Sequence, residues 1–520
     1  MNKIEIQLAL LLLVFIGLGC QSNKGTKSET ASETNAYYTE QHRPQFHFTP
    51  EANWMNDPNG MVYFEGEYHL FYQYYPDSTV WGPMHWGHAI STDLIHWEHL
   101  PIALFPDSAG CIFSGSAVVD HNNTSGLGTD GLAPMIAIFT YHDFVGEKAG
   151  TTTFQNQGIA YSTDKGRTWK KYGEPVLKNP GIKDFRDPKV MWHSDTEKWI
   201  MTLAVQDHIE FYSSPNLIDW KRESGFGKEL GAHGGVWECP DLIQMNVEGS
   251  DQKEWVLLVS INPGGPNGGS ATQYFVGDFD GQKFTTSQKA IKWIDYGADN
   301  YAGVTWSNVP EKDGRTLFMG WMSNWWYAQV VPTEKWRSAM TFPRELVLSA
   351  GKIIKSVPVK ELELLRNRNT SITNKHITDN FNLTQEVPFD LSLSELNMTL
   401  IPEENTSSIK LILSNSLDEK IEIELNLRKN ELSVDRTKSG KTDFSERFYA
   451  KHVAPIVIEE KIKLQVLLDV ASIEIFYNDG ECVMTDIFFP TQPFNQIELV
   501  STGAGLTIEN ASVYQLNSIW

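Results

Sequence analysis

A turn motif that ends in tryptophan recurs along the first half of the chain. Residues 91–97 read Ser-Thr-Asp-Leu-Ile-His-Trp, residues 162–169 repeat the Ser-Thr-Asp start, and residues 213–220 read Ser-Ser-Pro-Asn-Leu-Ile-Asp-Trp. Each copy follows short runs in which apolar and polar residues alternate, and residues 278–284 are a fainter fourth copy. Repeated strand groups of this kind are typical of a β-propeller, and their spacing suits about five blades. A β-sandwich with a fortuitous repeat is the alternative.

The pattern changes after residues 351–365, which we interpret as a linker with a short helix. Beyond it, apolar and polar residues alternate strictly, as at residues 409–413, and Asn-Asp-Gly at residues 478–480 predicts a hairpin turn. Many short strands, in sheets that expose one face to solvent, indicate a β-sandwich. Because 520 residues are too many for one core, we expect at least two domains, and the strand patterns predict an all-β chain. A five-bladed β-propeller at 44–350 is followed by a C-terminal β-sandwich at 366–520, which stabilises the propeller.

The first twenty residues have the features of a targeting segment. An apolar run at residues 8–19 follows a basic start, is too short to span a bilayer permanently, and ends at Cys20. We interpret residues 1–20 as a bacterial lipoprotein signal with Cys20 as the lipidated residue, although Gly17 stands where such signals usually carry Leu. Ordinary secretion with a chance cysteine is the alternative. Polar residues 21–43 predict a disordered tether. We therefore expect a lipid anchor in the cell envelope, on the periplasmic side or at the cell surface.

Residues 54–60 read Trp-Met-Asn-Asp-Pro-Asn-Gly and contain the first candidate catalytic residue, Asp57. The proline fixes one backbone dihedral, and Asn59-Gly60 predicts a tight turn. A carboxylate on a rigid bend, beside the Trp54 ring and the Asn56 amide, suits a sugar: the ring contacts an apolar sugar face and the polar groups bind hydroxyls. The simpler interpretation is an Asx-turn with a nearby core tryptophan.

Two later stretches also place an acid close to a proline, directly before it in one case and two residues before it in the other. Residues 186–188 read Arg-Asp-Pro, and residues 238–241 read Glu-Cys-Pro-Asp after a glycine-rich segment. Hydrolysis of a glycosidic bond requires two carboxyl groups, one ionised and one protonated, and a third acid can hold substrate hydroxyls. Each stretch alone is more simply a structural turn, but the three together indicate a glycoside hydrolase.

These three motifs, in this order, resemble glycoside hydrolase family 32, the invertases, inulinases and levanases. Further segments match the same family; they are residues 71–74, 81–88, 113–116 and 320–325. The resemblance implies a five-bladed propeller that carries the catalytic site, with Asp57 as nucleophile, Glu238 as general acid and base, and Asp187 as transition-state stabiliser. It also implies that Arg186 keeps Asp187 ionised and helps to order Glu238.

The resemblance further implies a set of residues that bind the fructose unit: Asn56, Gln73, Trp81, Phe113, Ser114, Arg186 and Trp321. For Trp81 and Trp321, packing in the core is an alternative. Residues 320–337 and 113–116 are most similar to exo-acting levanases and inulinases. We therefore expect release of single fructose units from β-2,6 or β-2,1 fructans, and from sucrose.

Other functions stay open at this point. An endo-levanase with an open groove would release fructo-oligosaccharides, and transfer of fructose to a sugar acceptor competes with hydrolysis. A catalytically inactive fructan-binding lipoprotein would not need all three acids. A related furanosidase acting on arabinose or xylose polymers would lack the stretch at residues 56–60.

Charge and cysteine content exclude several partners. The net charge of −22 argues against nucleic acid, whose phosphates require basic patches. Apart from Cys20, the three cysteines Cys111, Cys239 and Cys482 lack metal-type spacing, so zinc is not indicated. We expect no metal and no cofactor, a fructan or fructo-oligosaccharide as the substrate, membrane contact only through the lipid, and a monomer.

Overall fold

Alternating apolar and polar residues, many of them β-branched or aromatic, form strands through most of the chain. The computed structural model describes residues 38–129 and 131–520. The predicted signal peptide, its Cys20 and the predicted tether up to residue 37 lie outside the described residues. Within those ranges, regular helix is confined to α1 (Phe144–Lys148) and two 3-10 helices, η1 (Lys360–Leu365) and η2 (Leu383–Glu386). No helix in the described part of the chain is long and apolar enough to cross a membrane.

Five mainly antiparallel sheets follow one another as far as Pro358. The first contains β1 (Asn53–Phe64), β2 (Glu67–Tyr75), β3 (His85–Ser91) and β4 (Glu98–Leu104). The second contains β5 (Cys111–Val119), β6 (Met135–His142), β7 (Gln155–Ser162) and β8 (Lys170–Lys171). The third contains β9 (Phe185–His193), β10 (Lys198–Val205), β11 (His208–Ser214) and β12 (Lys221–Phe226).

The fourth and fifth sheets continue the series. The fourth contains β13 (Val236–Asn246), β14 (Lys253–Asn262), β15 (Ala271–Phe279), β16 (Phe284–Thr285) and β17 (Lys292–Trp293). The fifth begins with β18 (Tyr301–Thr305) and β19 (Thr316–Met322). Next along the chain is β20 (Trp336–Arg337), which joins the first sheet. The fifth sheet is then completed by β21 (Ala339–Met340), β22 (Arg344–Leu348) and β23 (Ile354–Pro358).

The innermost strands of the five sheets form a closed ring. Strand β1 adjoins β5, β5 adjoins β9, β9 adjoins β13, β13 adjoins β18, and β18 adjoins β1 again. Closure is helped by the parallel pairing of β20 with β1. It is also helped by backbone hydrogen bonds from Ser307 to Met61 (2.9 Å) and from Tyr63 to Ser307 (3.0 Å). This arrangement is a β-propeller, which the sequence repeat predicted.

The repeated Ser-Thr-Asp and Ser-Ser-Pro-Asn motifs form one kind of turn after the third strand of successive sheets. After β3, Asp93 accepts hydrogen bonds from the backbone N–H groups of Ile95 (2.9 Å) and His96 (2.8 Å). Asn216 after β11 accepts the backbone N–H groups two and three residues on in the same way, whereas Asp164 after β7 accepts that of Thr168, four residues on. The side-chain oxygen replaces a backbone acceptor in each turn, which is why Asp and Asn recur there.

The C-terminal part is a sandwich of two six-stranded sheets. In spatial order, one sheet contains β24 (Arg366–Ile377), β35 (Leu506–Leu516), β26 (Ser394–Pro402), β31 (Ile462–Asp469), β32 (Ser472–Tyr477) and β33 (Cys482–Ile487). The other contains β25 (Asn380–Asn382), β34 (Gln496–Thr502), β27 (Ser408–Ser414), β28 (Lys420–Asn426), β29 (Glu431–Lys438) and β30 (Lys451–Pro455). Alternate residues of both sheets, such as Ile409, Leu411 and Leu413, form the buried core between them.

The sandwich packs on the propeller through buried charged groups. Arg344 of β22 ion-pairs with Glu474 of β32 and, at 2.9 Å, with Asp295, and all three side chains are almost fully buried. His47 lies between Asp469 and Glu474, 2.8 Å from each. Because a buried charge without a partner is costly, these pairs require the two domains to keep one relative position.

Two predicted domain boundaries differ from the structure. Strand β23 pairs with β22, so the propeller extends to Pro358 and the linker, predicted at 351–365, is only Val359 and η1. At the other end, residues 38–43 were assigned to the tether, but Arg43 is fully buried and donates to Thr49 (3.1 Å) and to the Pro50 carbonyl (2.7 Å). The packed chain therefore starts before residue 44.

Candidate active site

All five innermost strands have a shift in pairing register at a β-bulge. The shifts lie at residues 55–58, 112–115, 186–189, 238–241 and 301–304. A bulge bends its strand and re-aims the side chains beside it. The side chains of Asp57, Ser114, Asp187 and Glu238 are thereby brought to one cavity of about 330 Å³. Acids from three distant parts of the chain therefore share one site.

The predicted bends at the acids are these bulges and not turns. The tight turn predicted at Asn59-Gly60 is wrong, because both residues continue β1. Gly60 has a φ of +52°, and a Cβ there would lie 2.7 Å from the Phe71 ring. Glycine is required because it alone adopts this backbone conformation without strain and leaves room for the ring.

Asp57 has a hydrogen-bond donor on each carboxylate oxygen. The amide of Asn56 donates to Oδ1 (2.9 Å) and the hydroxyl of Ser114 donates to Oδ2 (2.6 Å). Asn56 in turn accepts a 2.8 Å hydrogen bond from Trp54 Nε1. Burial raises the pKa of Asp57, and the hydrogen bonds from Ser114 and Asn56 oppose that rise. These donors fix the direction of the carboxylate towards the cavity.

Glu238 is held by two donors of different charge. Arg186 donates from Nε (3.2 Å) and Nη2 (2.9 Å) to Oε1, and the hydroxyl of Tyr301 donates to Oε2. Arg186 also donates to Asp184 at 2.6 Å. Tyr301 is buried on β18, so the group that positions Glu238 comes from the adjacent sheet.

Asp187 is the least exposed of the three acids and has a left-handed backbone conformation with a φ of +64°. Its Oδ2 accepts a 3.1 Å hydrogen bond from the backbone N–H of Cys239, and its own N–H donates to Thr140 (3.0 Å). The Cys239 thiol lies 3.6 Å from Asp57 Oδ2 and 3.7 Å from Asp187 Oδ2. This thiol therefore lies between two of the acids.

The resemblance implies that Arg186 keeps Asp187 ionised, and the structure gives Arg186 other carboxylates as its ion-pair partners. Arg186 forms its ion pairs with Glu238 and Asp184. Burial raises the pKa of Asp187 to about 7, although the charge of Arg186 lowers it. Desolvation of the Asp187 carboxylate therefore outweighs the attraction of the arginine. The predicted ordering of Glu238 by Arg186 agrees with the geometry.

Aromatic and amide side chains form the walls of the cavity. Trp81 and Phe113 line it together, with ring centroids 5.9 Å apart, and Gln73 lines it as well. Gln73 Nε2 donates to Asn59 Oδ1 (2.7 Å) and to the Ile112 carbonyl (3.0 Å). Trp81 is half-buried and faces the cavity, so core packing is not its whole role.

Trp321 does not line the cavity, in contrast to the prediction. It is fully buried and packs against Trp54, Tyr301 and Trp325 at centroid distances of 6.0, 6.4 and 5.0 Å. The half-buried neighbour Trp325 lines the cavity in its place. The two tryptophans lie four residues apart in one sequence motif, and only the loop geometry decides which of them reaches the site.

Sequence reasoning missed three further residues at the site. Tyr301 has no local motif that marks it, and Trp325 lies in the matched segment 320–325, where the sequence does not show which tryptophan reaches the site. Cys239 has no metal-type spacing that would mark it in the sequence, yet its amide and thiol contact Asp187 and Asp57. Within residues 38–129 and 131–520, no group of three or more His, Cys, Asp or Glu side chains is arranged to hold a metal ion.

Comparison with protein families matches nearly the whole described chain. Residues 47–358 match the glycosyl hydrolases family 32 N-terminal domain, and residues 361–515 match the family's C-terminal domain. These two ranges meet at η1, where the propeller ends and the sandwich begins. The two matches therefore agree with the division seen in the fold.

Similar proteins and solved structures agree with that assignment. A levanase of Bacillus subtilis is 47% identical over 496 residues, which cover 94% of this chain and 72% of the levanase. An exo-inulinase structure from Aspergillus awamori superposes with a TM-score of 0.85 at 34% identity, covering 93% of this chain and 100% of the other. A fructofuranosidase from Schwanniomyces occidentalis complexed with fructose has a TM-score of 0.83 at 33% identity, covering 93% and 100%. The chain is thus a glycoside hydrolase and belongs to family 32.

Proposed function

We propose that this enzyme releases terminal β-D-fructofuranosyl units from fructans, namely levan or inulin, and from sucrose. The observation that carries the proposal is the convergence of Asp57, Asp187 and Glu238 on one cavity. Only Glu238 among them is held by an arginine and a tyrosine hydroxyl, so the acids have distinct environments. Distinct environments are what a nucleophile and a proton donor need. The names of the similar proteins, a levanase and an exo-inulinase, support the substrate class.

In the first step, Asp57 attacks the anomeric carbon of the terminal fructose. The bond between that carbon and the leaving oxygen breaks, and Glu238 gives its proton to that oxygen. A covalent fructosyl ester on Asp57 results. Asn56 and Ser114 hold the two oxygens of the attacking carboxylate, so little reorientation is needed.

In the second step, water replaces the ester. Glu238, now ionised, removes a proton from the water, whose oxygen attacks the anomeric carbon and releases Asp57. Two displacements at one carbon return the original configuration, so the released fructose is initially the β anomer. Asp187 binds fructose hydroxyls while positive charge develops on the ring.

Two features favour attack at the chain end. The acids lie in a cavity whose walls come from Trp81 and Phe113 in the early part of the chain and from Trp325 and Gln329 of a late loop. A terminal fructose fits such a site, whereas an endo-levanase needs a groove that is open at both ends. Exo attack is also the activity named for the inulinase whose structure is similar.

The proposal is tested by the early products from levan, inulin and sucrose. Fructose as the sole early product from the polymers supports exo attack, and the relative rates decide the linkage preference. A ladder of fructo-oligosaccharides would instead assign an endo enzyme. Asp57→Asn and Glu238→Gln should each lower kcat by several orders of magnitude with an unchanged circular dichroism spectrum. Near-full activity of either variant would overturn its assigned role.

We also propose that Cys20 carries a lipid that anchors the enzyme at the bacterial envelope membrane. The support is the apolar run that ends at this cysteine and the polar segment that follows. Cys20→Ala should move the activity from the membrane fraction to the soluble fraction. Protease accessibility of intact cells then distinguishes the cell surface from the periplasmic side. Continued membrane association of the variant would contradict the anchor.

A further inference from the structure

The loop that follows β19 connects the cavity to the sandwich. Trp325 and Gln329 on this loop line the cavity, while Tyr327, midway between them, is buried on the side of the C-terminal domain. The ring of Tyr327 packs edge-on against Phe448 of the sandwich, with centroids 5.1 Å apart. One short loop therefore contacts both the substrate site and the second domain.

The sandwich holds Tyr327 through a buried charged residue, Arg436 of β29. Arg436 Nη2 donates to the Tyr327 hydroxyl (2.9 Å), and that hydroxyl donates to Asp299 Oδ1 (2.7 Å). Arg436 Nη1 donates to Asp299 Oδ2 (2.7 Å), which closes a ring of three side chains. All three are almost fully buried, so solvent does not weaken the bonds.

Arg436 is itself held in one orientation by its own domain. Its Nε donates to the Phe448 carbonyl (2.9 Å), and its guanidinium lies 3.9 Å from the Phe448 ring centroid. Nη1 also lies 3.6 Å from Asp486. A guanidinium with five directed donors can satisfy these partners together, whereas the ammonium of lysine cannot.

The ring of Arg436, Tyr327 and Asp299 is also connected to the site through Asp299. Asp299 accepts the backbone N–H of Ile487 in the sandwich (3.0 Å) and stands two residues before Tyr301, whose hydroxyl donates to Glu238. Gln329 is held separately, because its carbonyl accepts from Arg337. Trp325 is the cavity-lining ring of this loop and stands two residues before Tyr327, so a shift of the backbone at Tyr327 also moves the segment that carries Trp325.

We propose that Arg436 and Tyr327 are positioning residues through which the C-terminal sandwich sets the place of Trp325 in the substrate-binding wall. The sandwich then contributes to substrate binding without touching substrate. This inference rests on the proposed function, since it concerns the binding of the same fructosyl substrate. When only the Tyr327 hydroxyl is lost, it predicts a change in KM with little change in kcat, because the Arg436–Asp299 ion pair still holds the segment that carries Tyr301.

Tyr327→Phe tests the inference with a small change. It removes one hydroxyl and leaves the Arg436–Asp299 ion pair, whereas loss of Arg436 would leave buried Asp299 unpaired and endanger folding. We expect KM for fructan and for sucrose to rise at least threefold, with kcat within twofold of wild type. Tyr477→Phe is the matched control, since its buried hydroxyl donates to the Val457 carbonyl (2.7 Å) inside the sandwich, away from this loop. It should leave KM unchanged.

The Trp325→Ala variant shows whether the rise in KM caused by Tyr327→Phe depends on Trp325. In a Trp325→Ala enzyme, Tyr327→Phe should raise KM no further, although it should lower the melting temperature as it does in the wild type. A KM for Tyr327→Phe equal to that of wild type, or an equal rise in both backgrounds, would overturn the inference. Activity of the wild-type enzyme is measured first: absence of fructose release defeats the proposed function, whereas normal release with an unaffected Tyr327→Phe variant defeats only this inference.

Discussion

The hydroxyl of Ser114 on β5 donates a 2.6 Å hydrogen bond to Oδ2 of Asp57 on β1. The bond crosses from the second sheet to the first and is buried. Burial raises the pKa of the Asp57 carboxyl, and the Ser114 hydroxyl is the strongest influence that lowers it. Ser114 therefore favours the ionised form in which Asp57 can attack.

Ser114→Ala should move the acidic limb of the pH profile of kcat/KM to higher pH. Loss of the donor raises the pKa of Asp57 further, so a smaller fraction of this carboxyl is ionised at acidic pH. A hydrogen bond to a charged group contributes about 1.5–3 kcal/mol, which corresponds to roughly a tenfold or greater loss of activity at the acidic end. Ser394→Ala is the control, because its buried hydroxyl donates to the Leu391 carbonyl (2.9 Å) in the sandwich, away from the acids. An unmoved acidic limb for Ser114→Ala would refute the prediction.

Asp187→Asn should abolish activity and yet stabilise the fold at neutral pH. The pKa of Asp187 is raised from 3.8 to about 7 by burial, so the folded state binds more protons than the unfolded state between these values. Stability of the wild type therefore falls as pH rises from about 4 to 7, and this loss is absent when the residue cannot ionise. The gain of the variant should reach a few kcal/mol at pH 7.5 and be small at pH 4. Urea unfolding of both proteins at both pH values measures this gain. If the difference in unfolding free energy between the variant and the wild type were the same at pH 4 and pH 7.5, the raised pKa would be wrong.

Trp321→Ala and Trp325→Ala should separate stability from binding. Trp321 is fully buried, so its truncation leaves a cavity and should cost about 3–5 kcal/mol of unfolding free energy. Trp325 lines the site, so its truncation should raise KM with a smaller loss of stability. Denaturant unfolding and steady-state kinetics on both variants check this. If Trp321→Ala raised KM more than Trp325→Ala, the placement of the two rings would be wrong.

The protein should lose stability at alkaline pH, because the buried imidazole of His47 then loses its charge. Burial alone would lower its pKa, but hydrogen bonds to Asp469 and Glu474 outweigh burial and raise the pKa to about 9. The stabilisation is fully present below pH 6.5 and is lost as pH rises through about 9. His47→Gln should be less stable than wild type at pH 6, and the difference should shrink towards pH 9.5. His121→Gln, which changes an exposed histidine, is the control. A difference that did not depend on pH would show that His47 is not charged in the fold.

The acids and the aromatic neighbours could be predicted from the sequence because they lie in short motifs. Asp57, Asp187 and Glu238 each stand close to a proline, and that local pattern survives in the fold as a β-bulge. The bulge itself was mistaken for a turn at Asn59-Gly60, since both structures use glycine and asparagine in left-handed conformations. Tyr301 was missed for a different reason, because its contact with Glu238 joins positions far apart in the chain.

The sequence by itself determined the all-β character, the change from propeller to sandwich and the three candidate acids, because each depends on local alternation or on a short motif. Tertiary structure alone decided that Trp325 and not Trp321 reaches the cavity, that Arg186 pairs with Glu238, and that Arg436 of the sandwich bonds to Tyr327. Such choices depend on which side chains of distant strands meet when the ring closes. Local propensities do not encode that geometry, because it follows from the packing of the whole chain.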